Sequence, residues 1–331
     1  MKRAHRNTNT ENRQPMSRDD EDEMWEGLVP LHVEKIVDPL APTFDFQLLS
    51  KRNKQIRTFS IVQDLEGRRK PATTDTIPCN DERKHGTAIA EEGLTEHKSK
   101  TGAVVWDGAV VAAGMLDNAA TNGATELPLL DPRDKTIIEL GCGCAALPGM
   151  VALASGAEQV ILTDLEPIIE SEALATNLNN NLTEDELSKV TKLVYRWGDD
   201  QFDLRETKTL HTSRGPIQLF SYHKAAVDLI LACDTVYDMA LVEPLLDSIL
   251  FLMRKSNEFK DSSSNCKALV CYDESIGRKK AYRFFQEEAK KRFAVVQDLT
   301  ESEKRHDLRP DSVTALSIMY PIRGNKDDTE G

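Results

Sequence analysis

From residue 101 onward the chain alternates two textures of apolar and polar positions. Short β-branched or wholly apolar runs fall at residues 136–140 (TIIEL), 159–164 (QVILTD), 191–197 (TKLVYRW), 227–234 (VDLILACD), 267–273 (KALVCYD), 293–299 (FAVVQDL) and 312–320 (SVTALSIMY). Between the first five lie segments with helical spacing or helix-compatible small residues, at 145–157, 166–181 and 243–255, with another at 104–120 ahead of the first run and one at 278–291 after the fifth. Parallel strands need crossovers, and both faces of such a sheet must be covered, so this alternation predicts a mostly parallel sheet with helices on both faces. Residues 300–311 (TESEKRHDLRPD) are too polar for a crossover helix, so the last strand should pair antiparallel.

Ahead of this region the pattern is weaker. Residues 44–63 give two runs of partial alternation around a charged connection, which predicts a β-hairpin. Residues 67–100 are charge-dense without a sustained period and are expected to be a surface linker, whose GRRK is the one candidate for nuclear entry. Residues 1–25 hold almost no apolar side chains and cannot offset chain entropy by burial, so a disordered tail is expected there and at 324–331. The expected organisation is tail 1–25, an extension with hairpin and linker at 26–100, the α/β domain at 101–323, and a short tail.

Charge narrows the classes of partner. The 331 residues carry 42 Lys and Arg against 55 Asp and Glu, a net charge of −13. A protein that coats nucleic acid through phosphate neutralisation needs a basic face, so that class is disfavoured. No apolar run is long enough to span a bilayer, and no signal-peptide core precedes the six cysteines, so a soluble cytoplasmic monomer with reduced thiols is expected. Cys142 and Cys144 form C-x-C without a second ligand pair, a poor zinc signature, so no metal is expected. The seven histidines are scattered in polar segments and form no nucleophile and base pattern.

The first strand runs into Gly141-Cys142-Gly143-Cys144-Ala145-Ala146 and then a helix. Glycines there permit a sharp turn and close backbone approach to a ligand, next to unpaired helix N–H groups. Asp164 ends the second strand, 21 residues after Gly143, the spacing at which a carboxylate meets ribose hydroxyls. Together they indicate a nucleoside cofactor. Gly141-x-Gly143-x-x-Ala146 also satisfies the degenerate dinucleotide fingerprint, but a Trp-Asp-Gly segment before the sheet and an Asp-x-x-Tyr after the fourth strand lean away from NAD.

The segments VVWDGAVVAAGML, IIELGCG, VILTDLE, YRWGD and VDLILACDTVYD, in this order, resemble the family-16 methyltransferases, protein-lysine methyltransferases of the seven-β-strand class that use S-adenosylmethionine. The resemblance implies a Rossmann-like seven-stranded sheet with an antiparallel last strand, and it implies roles. Trp106 would close the cofactor pocket. Gly141, Cys142 and Gly143 would pass under the methionine and ribose, Asp164 would hold the ribose, Trp197 would flank the adenine, and Cys233 would line the pocket. Asp234 and Tyr237 would be catalytic, and a protein, with translation elongation factors among the candidates, would be the acceptor. The third glycine of the family's loop is replaced by Ala145.

Methyl transfer to an amine is a direct displacement that needs alignment more than a covalent nucleophile, in keeping with the absence of a triad. Tyr237 is expected to form an aromatic wall that desolvates the amine, and Asp234 to orient an ammonium group. Two rival readings share the sheet: methylation of RNA or a small molecule, and a non-catalytic interaction module. The Asp234-Thr235-Val236-Tyr237 motif lacks the Asn/Asp-Pro-Pro-Tyr/Phe pattern of amino-base methylation, which disfavours RNA.

Overall fold

Buried strand residues alternate between two apolar clusters, one on each face of a central sheet. In β3 (Thr136–Leu140) Ile137 joins one cluster and Ile138 and Leu140 the other; in β8 (Leu229–Cys233) Leu229, Leu231 and Cys233 face the first, Ile230 and Ala232 the second. The computed structural model describes residues 42–50, 55–63, 102–122, 130–199, 209–212, 215–218, 226–259, 266–274, 278–299 and 313–319. By internal contacts the chain divides into residues 1–34 and 35–331, and every described residue lies in the second unit. The expected tails and the 67–100 linker fall outside the described residues.

The central sheet has seven strands in the order β10-β11-β9-β8-β3-β4-β5. Besides β3 and β8 these are β4 (Gln159–Asp164), β5 (Val190–Val194), β9 (Lys267–Asp273), β10 (Val295–Asp298) and β11 (Val313–Met319). β9, β8, β3, β4 and β5 run parallel, and β11 lies antiparallel between β9 and β10, as the missing crossover helix requires. All seven expected strands are present. The first cluster is covered by α1 (Asp107–Asn122), α2 (Leu147–Ala154) and α4 (Glu172–Asn181), the second by α6 (Met239–Phe259) and α7 (Lys279–Arg292).

Three details depart from the pattern reading. The helix expected over 166–181 is two, α3 (Glu166–Ile169) and α4, because Ser171 accepts a hydrogen bond from Leu174 N and caps a new start. A short α5 (Glu184–Ser188) follows, its Thr183 and Glu186 forming a reciprocal capping box. α6 begins at Met239, not at Glu243-Pro244, with Asp238 Oδ1 accepting from Ala240 N.

The N-terminal hairpin, β1 (Thr43–Ser50) and β2 (Gln55–Val62), pairs antiparallel as expected. It is part of the core: Phe59 and Ile61 are fully buried in the first cluster. Its edge is bound by a helix. Asn177 of α4 accepts from Val62 N and donates to Val62 O, while Asn181 does the same with Ser60. Arg57 clamps Glu186 with two hydrogen bonds, 2.6 and 2.8 Å. In the stretch 203–226, too polar for a sequence assignment, β6 (Thr209–Thr212) and β7 (Gly215–Gln218) pair antiparallel.

Candidate active site

The chain leaves β3 for β4 on one side and returns through β8 on the other. Between those strands the crossovers diverge, and the carboxyl ends leave a crevice, the usual ligand position in an open α/β sheet. A cleft of about 300 Å³ opens there, lined among others by Trp106, Glu139, Gly141, Asp164, Trp197 and Tyr237.

The floor is the turn after β3. Gly141 and Gly143 have φ of 73° and 61°, in the left-handed region where a side chain is strained. Gly141 N and Cys142 N both donate to Thr163 O, at 2.9 and 3.0 Å, which bends the turn toward β4. The next left-handed residue is Ala146, φ 45°, at the head of α2; Ala145, where the family glycine is replaced, is not one.

Asp164 closes the turn from β4. Its Oδ2 accepts from Gly143 N at 2.9 Å and its Oδ1 from Leu165 N at 2.7 Å. A carboxylate offers about four acceptor positions, so two remain for ribose hydroxyls. Burial lifts its pKa to about 6, against the pull of those two N–H groups. Trp197, after β5, packs on the same turn: a Cβ on Gly141 would lie 2.9 Å from its ring.

The roof is residues 102–106. Cys144 N donates to Gly102 O at 2.7 Å, and Val105 N donates to Gln63 Oε1 at 2.9 Å, so the hairpin's end holds the segment that delivers Trp106. Trp106 O caps the first turn of α1, accepting from Ala109 N and Val110 N.

The far wall comes from β8 and β9. Asp234 has φ 54°, and its carboxylate accepts from Ala109 N at 3.0 Å and Asp273 N at 3.2 Å. Gly108 makes room, since a Cβ there would stand 2.6 Å from Asp234 Oδ2. Desolvation lifts the Asp234 pKa to about 7, with the neighbouring acids Asp107 and Asp273 adding to the rise. Cys233 is hydrogen-bonded to the Cys271 thiol, and that contact and burial raise its pKa; burial, and then the Asp164 charge, do the same for Cys142. Both are neutral lining groups. Tyr237 carries Arg278 over one ring face, the guanidinium carbon 5.2 Å from the centroid.

All nine residues singled out from the sequence line this one cleft. Among those that sequence reasoning missed are Glu139, Thr235 and Arg278 of the lining, and Gly108 behind Asp234. Glu139 is buried at the end of β3, accepts from Gly149 N at 2.9 Å, and has its pKa pushed to about 8 by burial; an acid inside the apolar run TIIEL is the signal that pointed to it. Gly108 and Thr235 stand inside motifs already noticed. Arg278 reads in the sequence as an ordinary solvated helix start.

The residues present suit an S-adenosyl group. Among the described residues the buried Thr235 Oγ1 has no hydrogen-bond partner, and it belongs to the wall of this cleft. Asp164 has acceptor capacity left, and the glycine turn has no side chains in the way. No cluster of His, Cys, Asp and Glu that would hold a metal occurs among the described residues.

The family model described as lysine methyltransferase matches residues 87–212. The chain is an S-adenosylmethionine-dependent methyltransferase. The matched segment carries Trp106, the glycine turn, Asp164 and Trp197. No curated protein matches the chain. Among solved structures it is similar to a putative RNA methyltransferase from Pyrococcus horikoshii, at 15% identity and TM-score 0.34 over 65% of this chain and 83% of that one. It is also similar to human N-acetylserotonin methyltransferase bound to S-adenosylmethionine, at 11% identity and TM-score 0.37 over 70% and 60% of the two chains. A predicted O-methyltransferase from Agrobacterium tumefaciens matches at 14% identity and TM-score 0.34, over 58% and 77%. No described helix is long and apolar enough to cross a membrane.

Proposed function

We propose that the protein is a protein-lysine N-methyltransferase, with a translation elongation factor as the acceptor class the family resemblance favours and the cytoplasm as its compartment. The observation that carries the reading is the lysine methyltransferase match across the segment that builds the donor half of the cleft. When bound, S-adenosylmethionine supplies an electrophilic methyl group on a sulfonium. Trp106, Gly141, Cys142, Gly143, Asp164, Trp197 and Cys233 would hold it.

The chain's own work is alignment and desolvation. A lysine side chain in water, which titrates at about 10.4, is almost wholly protonated near pH 7, so the amine must lose its proton before it can attack. An apolar and aromatic wall favours the neutral form. Tyr237 and the end of β8 supply that wall. Asp234 is a positioning residue: accepting from Ala109 N and Asp273 N, it ties the start of α1, and therefore Trp106, to the ends of β8 and β9.

The test is incubation of the protein with methyl-labelled S-adenosylmethionine and a cell-extract proteome, followed by mass-spectrometric mapping. Label on a lysine side chain of a protein is expected, and less of it with Asp164→Ala. Label confined to RNA or metabolites would overturn the lysine reading.

A further inference from the structure

Arg278 takes no part in the reading above. It immediately precedes α7 at the carboxyl end of β9, half-buried on the cleft wall. Its guanidinium lies against the Tyr237 ring. A guanidinium stacked through its face still presents its N–H donors in plane around the edge, in the fork that matches a carboxylate.

Those donors are unclaimed by any acid of the described residues. Three other described arginines are paired, Arg57 with Glu186, Arg133 with Asp131, and Arg292 with Asp247. Arg196, also on the cleft, is not paired among the described residues, but of these Arg278 is the one laid on an aromatic ring of the cleft wall. Arg278 forms no such ion pair among the described residues, in a chain whose 55 acids outnumber its 42 bases. The acids of the cleft are held otherwise. Asp164, Glu139 and Asp234 accept from backbone N–H groups. A cation fixed on an aromatic ring, partly removed from water and facing a ligand cleft with no acid of the described residues against it, is built to receive an anion from outside.

We propose that Arg278 is a carboxylate-binding residue of this cleft, held in orientation by Tyr237. The inference rests on the methyltransferase reading for its two sources of carboxylate: an acidic side chain beside the acceptor lysine, and the α-carboxylate of the donor. Position favours the first. β9 is three strands from β4, roughly 14 Å at the spacing of paired strands. An amino-acid tail leaving a ribose held by Asp164 at the end of β4 is only a few bonds long. On this account the enzyme selects lysines with an acidic neighbour, and Arg278 sets that choice.

The experiment compares wild type, Arg278→Gln and Arg278→Lys in two arms. Calorimetry measures affinity for S-adenosylhomocysteine and for 5′-methylthioadenosine, which keeps the nucleoside thioether and lacks the amino-acid tail. Kinetics measure KM for the acceptor found by labelling, and for that acceptor with the acids around its lysine neutralised. The expected result for Arg278→Gln is unchanged nucleoside affinity and a KM raised about tenfold, the loss typical of a charge-assisted hydrogen bond. Neutralising the acceptor's acids should raise KM for wild type and add nothing in Arg278→Gln, while Arg278→Lys recovers part of the loss. A loss of about tenfold for S-adenosylhomocysteine alone assigns the carboxylate to the donor and still supports the anchor. Equal losses for both nucleosides, or no change in either arm, overturn it. If labelling yields no acceptor, the lysine reading has failed and the nucleoside arm alone decides Arg278. A wild type that binds neither nucleoside refutes the methyltransferase reading itself.

Discussion

Glu139 shows how one side chain can make the whole fold sensitive to pH. Its pKa is pushed from the ordinary 4.5 to about 8, so between those values the native state keeps a proton that the unfolded chain releases. Stability therefore falls as pH rises through that window. Asp164 and Asp234, raised to about 6 and about 7, act in the same direction but finish lower. Glu139→Gln, which mimics the protonated form, is expected to match wild type in urea denaturation near pH 5 and to exceed it near pH 8. An identical pH slope in both proteins would refute the assignment. The ribose role of Asp164 is read separately: Asp164→Ala should cost roughly tenfold or more in S-adenosylhomocysteine affinity, since a charged acceptor is lost, and calorimetry measures it directly. At Ala146 the backbone holds a left-handed φ of 45°. Glycine there removes about 1–2 kcal/mol of steric cost and gives back part through unfolded-chain entropy. Ala146→Gly should raise the urea midpoint slightly, and a lowered one would show that the buried methyl group matters more.

At the scale of elements, the hairpin and α4 behave as a single unit. Asn177, fully buried, satisfies Val62 N and Val62 O and also donates to Cys144 O of the glycine turn at 2.8 Å. Truncation to Ala leaves several buried backbone groups unpaired at about 1–3 kcal/mol each, so Asn177→Ala should destabilise the protein by about 2–4 kcal/mol. It should also expose the Val62 amide to hydrogen exchange and weaken cofactor binding. A variant of normal stability with a protected Val62 would disprove the linkage. None of this was legible beforehand, because NLNNN reads as a polar helix end whose asparagines face water. The break at Ser171 and the capping box at Thr183 were written in the sequence, in residues that accept backbone hydrogen bonds at helix starts. The early start of α6 was marked by Asp238 and obscured by Pro244, which suits a first turn but here sits inside the helix.

Across the whole molecule, the site exists because the parallel strands β9, β8, β3, β4 and β5 place their carboxyl ends in one row. Phe59 tests how far that sheet depends on the N-terminal hairpin: fully buried in the cluster beneath α1 and α4, it should cost about 3–5 kcal/mol on truncation to Ala. If Phe59→Ala left the denaturation midpoint unmoved, the hairpin would be an appendage. The sequence by itself determined the strands, their mostly parallel pairing and the antiparallel last strand, because period, strand length and crossover length are local properties that burial only reinforces. It also determined the donor half of the cleft, since the glycine turn and Asp164 are tied by a fixed spacing across one crossover. Only the tertiary structure decided what faces them. That Asp234 meets Gly108 across 126 residues, that Asn177 pairs with a strand edge, and that Arg278 lies on Tyr237 with no acid of the described residues beside it are results of packing between distant segments. Residue type at one position carries no record of which neighbour the fold will bring to it.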